Sequence, residues 1–272
     1  FITELWVEFT IGLLVFFLRF YARWRTVGLR NFAWDDYWAF VSMLFWIGGL
    51  ATLDTTVRHG TNVGLTKETA MMLPPPVVKS LEFGSKALFA AWFLYVTIIW
   101  TLKATVLGYY LRLTAGLWQN KLVKIMAVIC FLSWSSLIIL IFCRCRPIHK
   151  NWQIVPYAGD KCTHTNSSIL ALMLLNIFDD IGLVAIPAFV LWEAKLPVRR
   201  KIVVSLLLSS SFFIIACALL RGIIALESIV NILISIQWGT REAFVTIIVI
   251  NVPAIKPFFS NSIKIGSTAS KS

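Results

Sequence analysis

The chain has 272 residues, 58% of them hydrophobic and only 14% charged, well below the roughly 25% charge of a soluble domain. Its 25 Lys and Arg against 13 Asp and Glu give a net charge of +12. In a soluble protein that excess suggests nucleic acid; here the basic residues sit in short loops beside apolar runs, where anionic headgroups and the positive-inside rule account for them, so no nucleic-acid partner is expected.

Long apolar runs follow one another along the chain, and a globular core does not need so many of that length. The sequence opens on Phe1 rather than Met, so residues upstream are expected. Span one is predicted over Leu5–Ala22, followed by Arg23, Arg25 and Arg30. Span two follows Trp34-Asp35-Asp36-Tyr37-Trp38 and reaches Val57. The Pro74-Pro75-Pro76 run in the next loop reads as an extended connector, because proline lacks the N–H a helix interior needs. Span three covers Leu81–Leu111, span four Ile125–Phe142, span five Ser168–Trp192, span six Ile202–Leu226 and span seven Glu242–Phe259. The prediction is an all-α membrane protein, a seven-transmembrane helix bundle over residues 1–260 with a short cytoplasmic tail at 261–272. The denser basic loops, around Arg23–Arg30, Arg112–Lys124 and Lys195–Lys201, place the N-terminus outside and the C-terminus in the cytoplasm.

Cys143, Cys145 and Cys162 fall in or beside the loop that this topology puts on the oxidising side. A Cys145–Cys162 disulfide would close a loop of about 18 residues, worth ~3 kcal/mol; the alternative is free thiols at a helix end. Cys130 and Cys217 read as packing residues inside spans. Asn166-Ser167-Ser168 is a glycosylation sequon on the expected outer side, close to span five.

Asp35-Asp36 after Trp34, Cys145-Arg146-Pro147 with Trp152 and Cys162, Asn176 and Asp179 ahead of Pro187 and Trp192, and Trp238, Glu242, Asn251, Pro253 and Pro257 occur in that order. In order and placement this succession resembles the fungal rhodopsin-domain family of seven-span proteins, which includes Pth-type receptor-like proteins and the satratoxin-cluster type of integral membrane protein. The resemblance implies the fold; it implies little biochemistry. Retinal is not expected, since a Schiff base needs a lysine in the middle of span seven and Lys256 lies beyond Pro253, near the inner end. Nor is any other cofactor. No metal site is expected either, with only His59, His149 and His164, all in outer loops.

A charge at bilayer depth costs about 2.5–3.5 kcal/mol, so it needs a partner or a water-filled cavity. Asp54, Glu82, Lys86, Asn176, Asp179, Arg221 and Glu242 are read as lining a polar pocket in the outer half of the bundle, with Asp180 beside them. Arg221 is expected to pair with Asp179 or Glu242. Blander readings stand beside these: an i,i+4 pair for Glu82 and Lys86, helix capping for Asp35 and Asp36, and snorkelling to the inner face for Lys103. The favoured function is a receptor-like sensor of a small lipophilic or extracellular molecule, with no signalling partner readable. The alternative is a membrane-embedded enzyme of a fungal secondary-metabolite pathway, a cyclase or isomerase using Asp179, Asp180 and Glu242 as acid–base groups. Transport is a third reading, for which no internal repeat speaks.

Overall fold

The computed structural model describes residues 2–159, 162, 166–193, 212, 215–220, 222–223 and 232–269. Among them every regular element is helical: α1 (Ile2–Val27), α2 (Trp34–His59), the short α3 (Lys67–Met71), α4 (Pro75–Leu113), α5 (Gln119–Cys143), α6 (Asn166–Glu193) and α7 (Ile232–Ala269). Two 3₁₀ turns, Leu29–Asn31 and Ile148–Asn151, lie in the connections. α1, α2, α4, α5 and α6 are each long and apolar enough to cross a membrane. Most of the sixth predicted span, Ile202–Leu226, lies outside the described residues, as does the basic turn Lys195–Lys201.

Several boundaries differ from the expected ones for local reasons. The proline run is not an extended connector: Pro74 caps α4, and Pro75 and Pro76 are its first two helical residues. The N–H groups of a first turn have no intrahelical partner, so proline there sacrifices nothing and presets φ. α1 continues past Ala22 to Val27 and stops at Gly28, whose φ of +75° is the left-handed conformation a glycine adopts without strain. α7 begins ten residues before Glu242 and continues to Ala269, so the boundary expected at residue 260 falls inside a helix.

α4 is the central helix. Every residue from Val96 to Lys103 is buried, which requires neighbours on all sides. Its flank against α2 is the most extensive in the bundle, and α1 packs on α7, α5 on α4, and α6 on α5. Glycine makes the α2–α4 approach close: a Cβ on Gly84 would overlap the backbone carbonyl of Gly60, and one on Gly108 would lie 2.9 Å from the backbone nitrogen of Asp35. α5 buries Val123, Met126, Cys130, Ser133, Leu137 and Ile141, a stripe of three- and four-residue steps, while Ile125, Val128, Phe131, Leu132 and Ile139 face outward as lipid-facing side chains do. Cys145 and Cys162 form a disulfide that ties the loop after α5 to the residues before α6. Cys130 and Cys217 are buried free thiols; Cys143 is free and exposed.

Candidate functional site

The same stripe logic puts the acids of α6 inside. Leu172, Asn176, Asp179, Asp180, Leu183 and Ile186 are all buried, at the spacing of a single helix face. Asp179 is fully buried and uses both oxygens: Trp100 Nε1 donates to Oδ2 at 3.1 Å and Ser133 Oγ to Oδ1 at 3.1 Å. Asp180 pairs with Lys103 at 2.8 Å, with side chains 10% and 5% exposed. Lys103 therefore does not snorkel to a bilayer face. It also donates to the Asn176 carbonyl at 2.8 Å and lies 5.2 Å above the Trp100 ring. Asn176 Nδ2 donates to Glu242 Oε1 at 2.8 Å, and the Tyr95 hydroxyl donates to Glu242 Oε2 at 3.3 Å. One connected set thus joins α4, α5, α6 and α7. Inside it a cavity of about 50 Å³ touches Lys103, Asn176, Asp180 and Glu242, and neither Asn176 Oδ1 nor Asp180 Oδ2 has a partner among the described residues.

A second cavity, of about 90 Å³, opens at the end of the bundle where α2 finishes and α4 and α6 begin. Phe9, Phe45, Trp46, Trp92 and Tyr95 give it aromatic walls, with Leu5, Gly49, Ile98, Ile169 and Ala243 among the rest. Its polar contribution is slight, from Ser235, Thr240 and the Tyr95 hydroxyl. Tyr95, the donor to Glu242, therefore stands between the apolar chamber and the polar cavity. Glu8 is buried nearby on α1, and its Oε2 has no partner among the described residues.

At the other end, α1, α2, α4 and α7 meet in a buried ion cluster. Arg19 reaches Asp35 at 2.7 Å, Asp36 at 3.1 Å and Asn251 Oδ1 at 3.2 Å. Arg23 holds Asp36 in a fork at 2.8 and 3.0 Å, and Arg112 approaches Asp35 at 3.5 Å. Asp36 also accepts from the Ala33 N–H at 3.1 Å, so the capping role expected of the pair is present, but it is the smaller part of what these carboxylates do.

Of the predicted pocket residues, Asn176, Asp179, Asp180 and Glu242 come together. Asp54, Glu82 and Lys86 do not join them. Asp54 pairs with Arg58 at 2.7 Å and Glu82 with Lys86 at 2.9 Å, each one turn along its own helix and partly exposed. Arg221 and its expected pairings lie outside the described residues; the cation on Asp180 is Lys103. The larger chamber has mainly apolar walls, while Asn176, Asp180 and Glu242 line the smaller cavity. Arg19, Arg23, Lys103 and Glu8 are the buried charges that sequence reasoning missed. Arg19 and Arg23 carried a usable signal, an i,i+4 pair on one face of an apolar helix. Asn166 opens α6, and Lys256 is exposed on α7. Among the described residues no group of three His, Cys, Asp or Glu side chains is arranged to hold a metal ion.

A family model described as the fungal rhodopsin domain matches residues 18–261. The chain belongs to the fungal rhodopsin domain family. It is accordingly a multi-pass integral membrane protein in contact with the lipid bilayer. The fungal rhodopsin domain match takes in the whole Arg19–Asp35–Asp36–Asn251 cluster and the whole Lys103–Asp180–Glu242 set, whereas Leu5, Glu8 and Phe9 precede it. No curated protein and no solved structure matches the chain.

Proposed function

We propose that this protein is a receptor-like membrane sensor of a small lipophilic molecule, oriented with its N-terminal end and the chamber outside. The observation that carries the reading is the chamber floor. The Tyr95–Glu242 hydrogen bond separates an apolar, aromatic-walled space from a buried charged network, and it links α4 to α7. α7 carries Glu242 at the floor and Asn251 at the far cluster, and α1 carries Leu5 and Phe9 in the chamber wall and Arg19 in that same cluster. A ligand that displaces the Tyr95 hydroxyl thus acts on α4 and α7, which both reach the opposite ion cluster, through Arg112 and Asn251.

Acid–base chemistry on a hydrocarbon has less support. Both Asp179 oxygens are occupied, and the cavity touched by Asp180 and Glu242 has room for water rather than for a cyclising chain. The test is a deletion strain complemented with wild type or with Gly49→Leu, which fills the chamber from a position where a Cβ meets nothing within 4 Å. A sensor predicts that the variant reaches the membrane but does not restore the transcriptional response to the inducing compound. A metabolite lost in the deletion strain, with upstream genes still expressed, would overturn the sensor in favour of the enzyme.

A further inference from the structure

The chamber has a basic neighbour. Leu88 and Trp92 are among the lining of both the chamber and a third cavity, of about 30 Å³, beneath the disulfide loop, so the two spaces adjoin. Into that cavity come Arg144, at the C-terminal end of α5, and Ser168, in the first turn of α6. Among the described residues the Arg144 guanidinium reaches only neutral oxygens, Asn151 Oδ1 at 3.2 Å and the Cys162 carbonyl at 3.3 Å. Its Nε and the Ser168 hydroxyl are buried and have no partner among the described residues. No carboxylate is among the residues described around the cavity. Burial alone pushes the Arg144 pKa below the ordinary arginine value.

A half-buried guanidinium of this kind is anomalous in a structure whose other buried cations, Arg19, Arg23 and Lys103, each contact a carboxylate. Three features here favour a negative charge: the Arg144 Nε and the Ser168 hydroxyl, two donors with no partner among the described residues, and the positive end of a 28-residue helix. The adjoining chamber is aromatic and apolar. We infer that the ligand is a lipophilic carboxylic acid, its apolar body in the chamber and its carboxylate on Arg144 and Ser168.

This inference rests on the chamber being a ligand site, and the experiment separates the two. The full chain in nanodiscs of neutral lipid is titrated by calorimetry with 3-phenylpropanoate, 3-phenylpropanol and 3-phenylpropylamine, which share one body and differ in head group. The acid should bind at least tenfold tighter than the alcohol and the amine. Arg144→Gln should reduce the acid to the level of the alcohol while leaving the alcohol unchanged, and Ser168→Ala should weaken the acid severalfold. Because Arg144 also braces the loop, the wild-type comparison of the three heads decides the matter if Arg144→Gln does not fold. Equal affinities, or a preferred amine drawn to Glu8 or Glu242, would overturn the anion assignment and leave the chamber reading intact. Binding of none of the three to the wild type would overturn the chamber reading itself. Repeating the acid titration with phosphatidylglycerol in the nanodisc tests the carboxylate: competition would mean that the site takes a lipid phosphate and would overturn the carboxylic acid, and no competition supports it.

Discussion

Replacing Lys103 by Met should unfold the bundle more readily than replacing the Lys103–Asp180 pair as a whole. Both side chains are nearly inaccessible and 2.8 Å apart. Lys103→Met is close to isosteric and leaves the Asp180 carboxylate buried with no cation among the described residues, a loss of about 3–5 kcal/mol. Asp180→Leu alone strands the ammonium, which keeps the Asn176 carbonyl and the Trp100 ring and so should cost somewhat less. Lys103→Met with Asp180→Leu removes both charges, and apolar side chains of similar volume then fill the site at a cost below about 1 kcal/mol. The coupling energy from the double-mutant cycle should therefore exceed about 2 kcal/mol. Reversible unfolding in mixed micelles of increasing SDS content measures each member of the cycle. Additive losses, with the double variant as weak as the sum of the singles, would refute the pairing and return Lys103 to the role of a snorkelling residue.

Other outcomes follow from particular contacts. In the same assay Arg19→Met, which strips Asp35 of its 2.7 Å partner, should cost about 3–5 kcal/mol, while Asn251→Ala, which removes a neutral acceptor of Arg19 at 3.2 Å and leaves the ion pairs in place, should cost less, about 1.5–3 kcal/mol. Gly84→Ala should destabilise by about 1–3 kcal/mol because its Cβ would run into the Gly60 carbonyl, whereas Gly49→Ala, open on that side, should be neutral or stabilising by about 0.5–1 kcal/mol. Equal effects would deny the close α2–α4 approach. Reducing Cys145–Cys162 should lower stability by about 3 kcal/mol. Cys143, exposed and free at the end of α5, reports orientation: a membrane-impermeant maleimide should label it in intact spheroplasts, and labelling only after permeabilisation would reverse the proposed topology.

The all-helical membrane architecture was readable because apolar length and loop charge are local properties. So was the inward face of α6, where Asn176, Asp179 and Asp180 share one side of a helix by spacing alone. Pairings between helices were less accessible. Lys103 stands eight residues, about 12 Å, before the predicted end of span three at Leu111 and about 15 Å before the end of α4 at Leu113, so the inner face was already beyond the reach of a lysine. Its partner is on α6, and nothing in the sequence around residue 103 announces residue 180. The same holds for Arg19 and Arg23, which resemble the inner anchors of a span ending at Ala22 but lie within a helix that continues to Val27. Asp54, Glu82 and Lys86 failed as pocket residues for the opposite reason. Each has an i,i+4 partner on its own helix, and a local partner frees a charge from any need to reach the bundle interior.

The two polar layers differ in strength, and on the proposed reading that difference sets which one responds. Glu242 and Asn251 are nine residues apart on α7, about 14 Å along the axis. At the chamber floor α4 meets α7 through the Tyr95 hydroxyl and Glu242 at 3.3 Å, a long hydrogen bond. At the far end Arg19 and Arg23 make several short, charge-assisted bonds with Asp35 and Asp36, but Arg19 meets α7 only through Asn251 at 3.2 Å and the Ile250 carbonyl at 3.5 Å. At the chamber end the Arg241–Glu4 ion pair at 2.6 Å and the Asn176–Glu242 bond at 2.8 Å also hold α7, to α1 and α6, so the Tyr95 bond and the Arg19–Asn251 bond are the longer links of α7 rather than its whole attachment. A ligand that replaces the Tyr95 bond to the Glu242 carboxylate has to supply about 1.5–3 kcal/mol for that link alone. Tyr95→Phe should remove the upper link without unfolding the protein, and Asn251→Ala the lower. If α7 is the moving element, spin labels on α7 and α2 should show a broadened distance distribution in each variant, broader still in the double variant. Distributions identical to the wild type in all three would mean that these bonds do not hold α7, and the proposed route from chamber to ion cluster would be wrong.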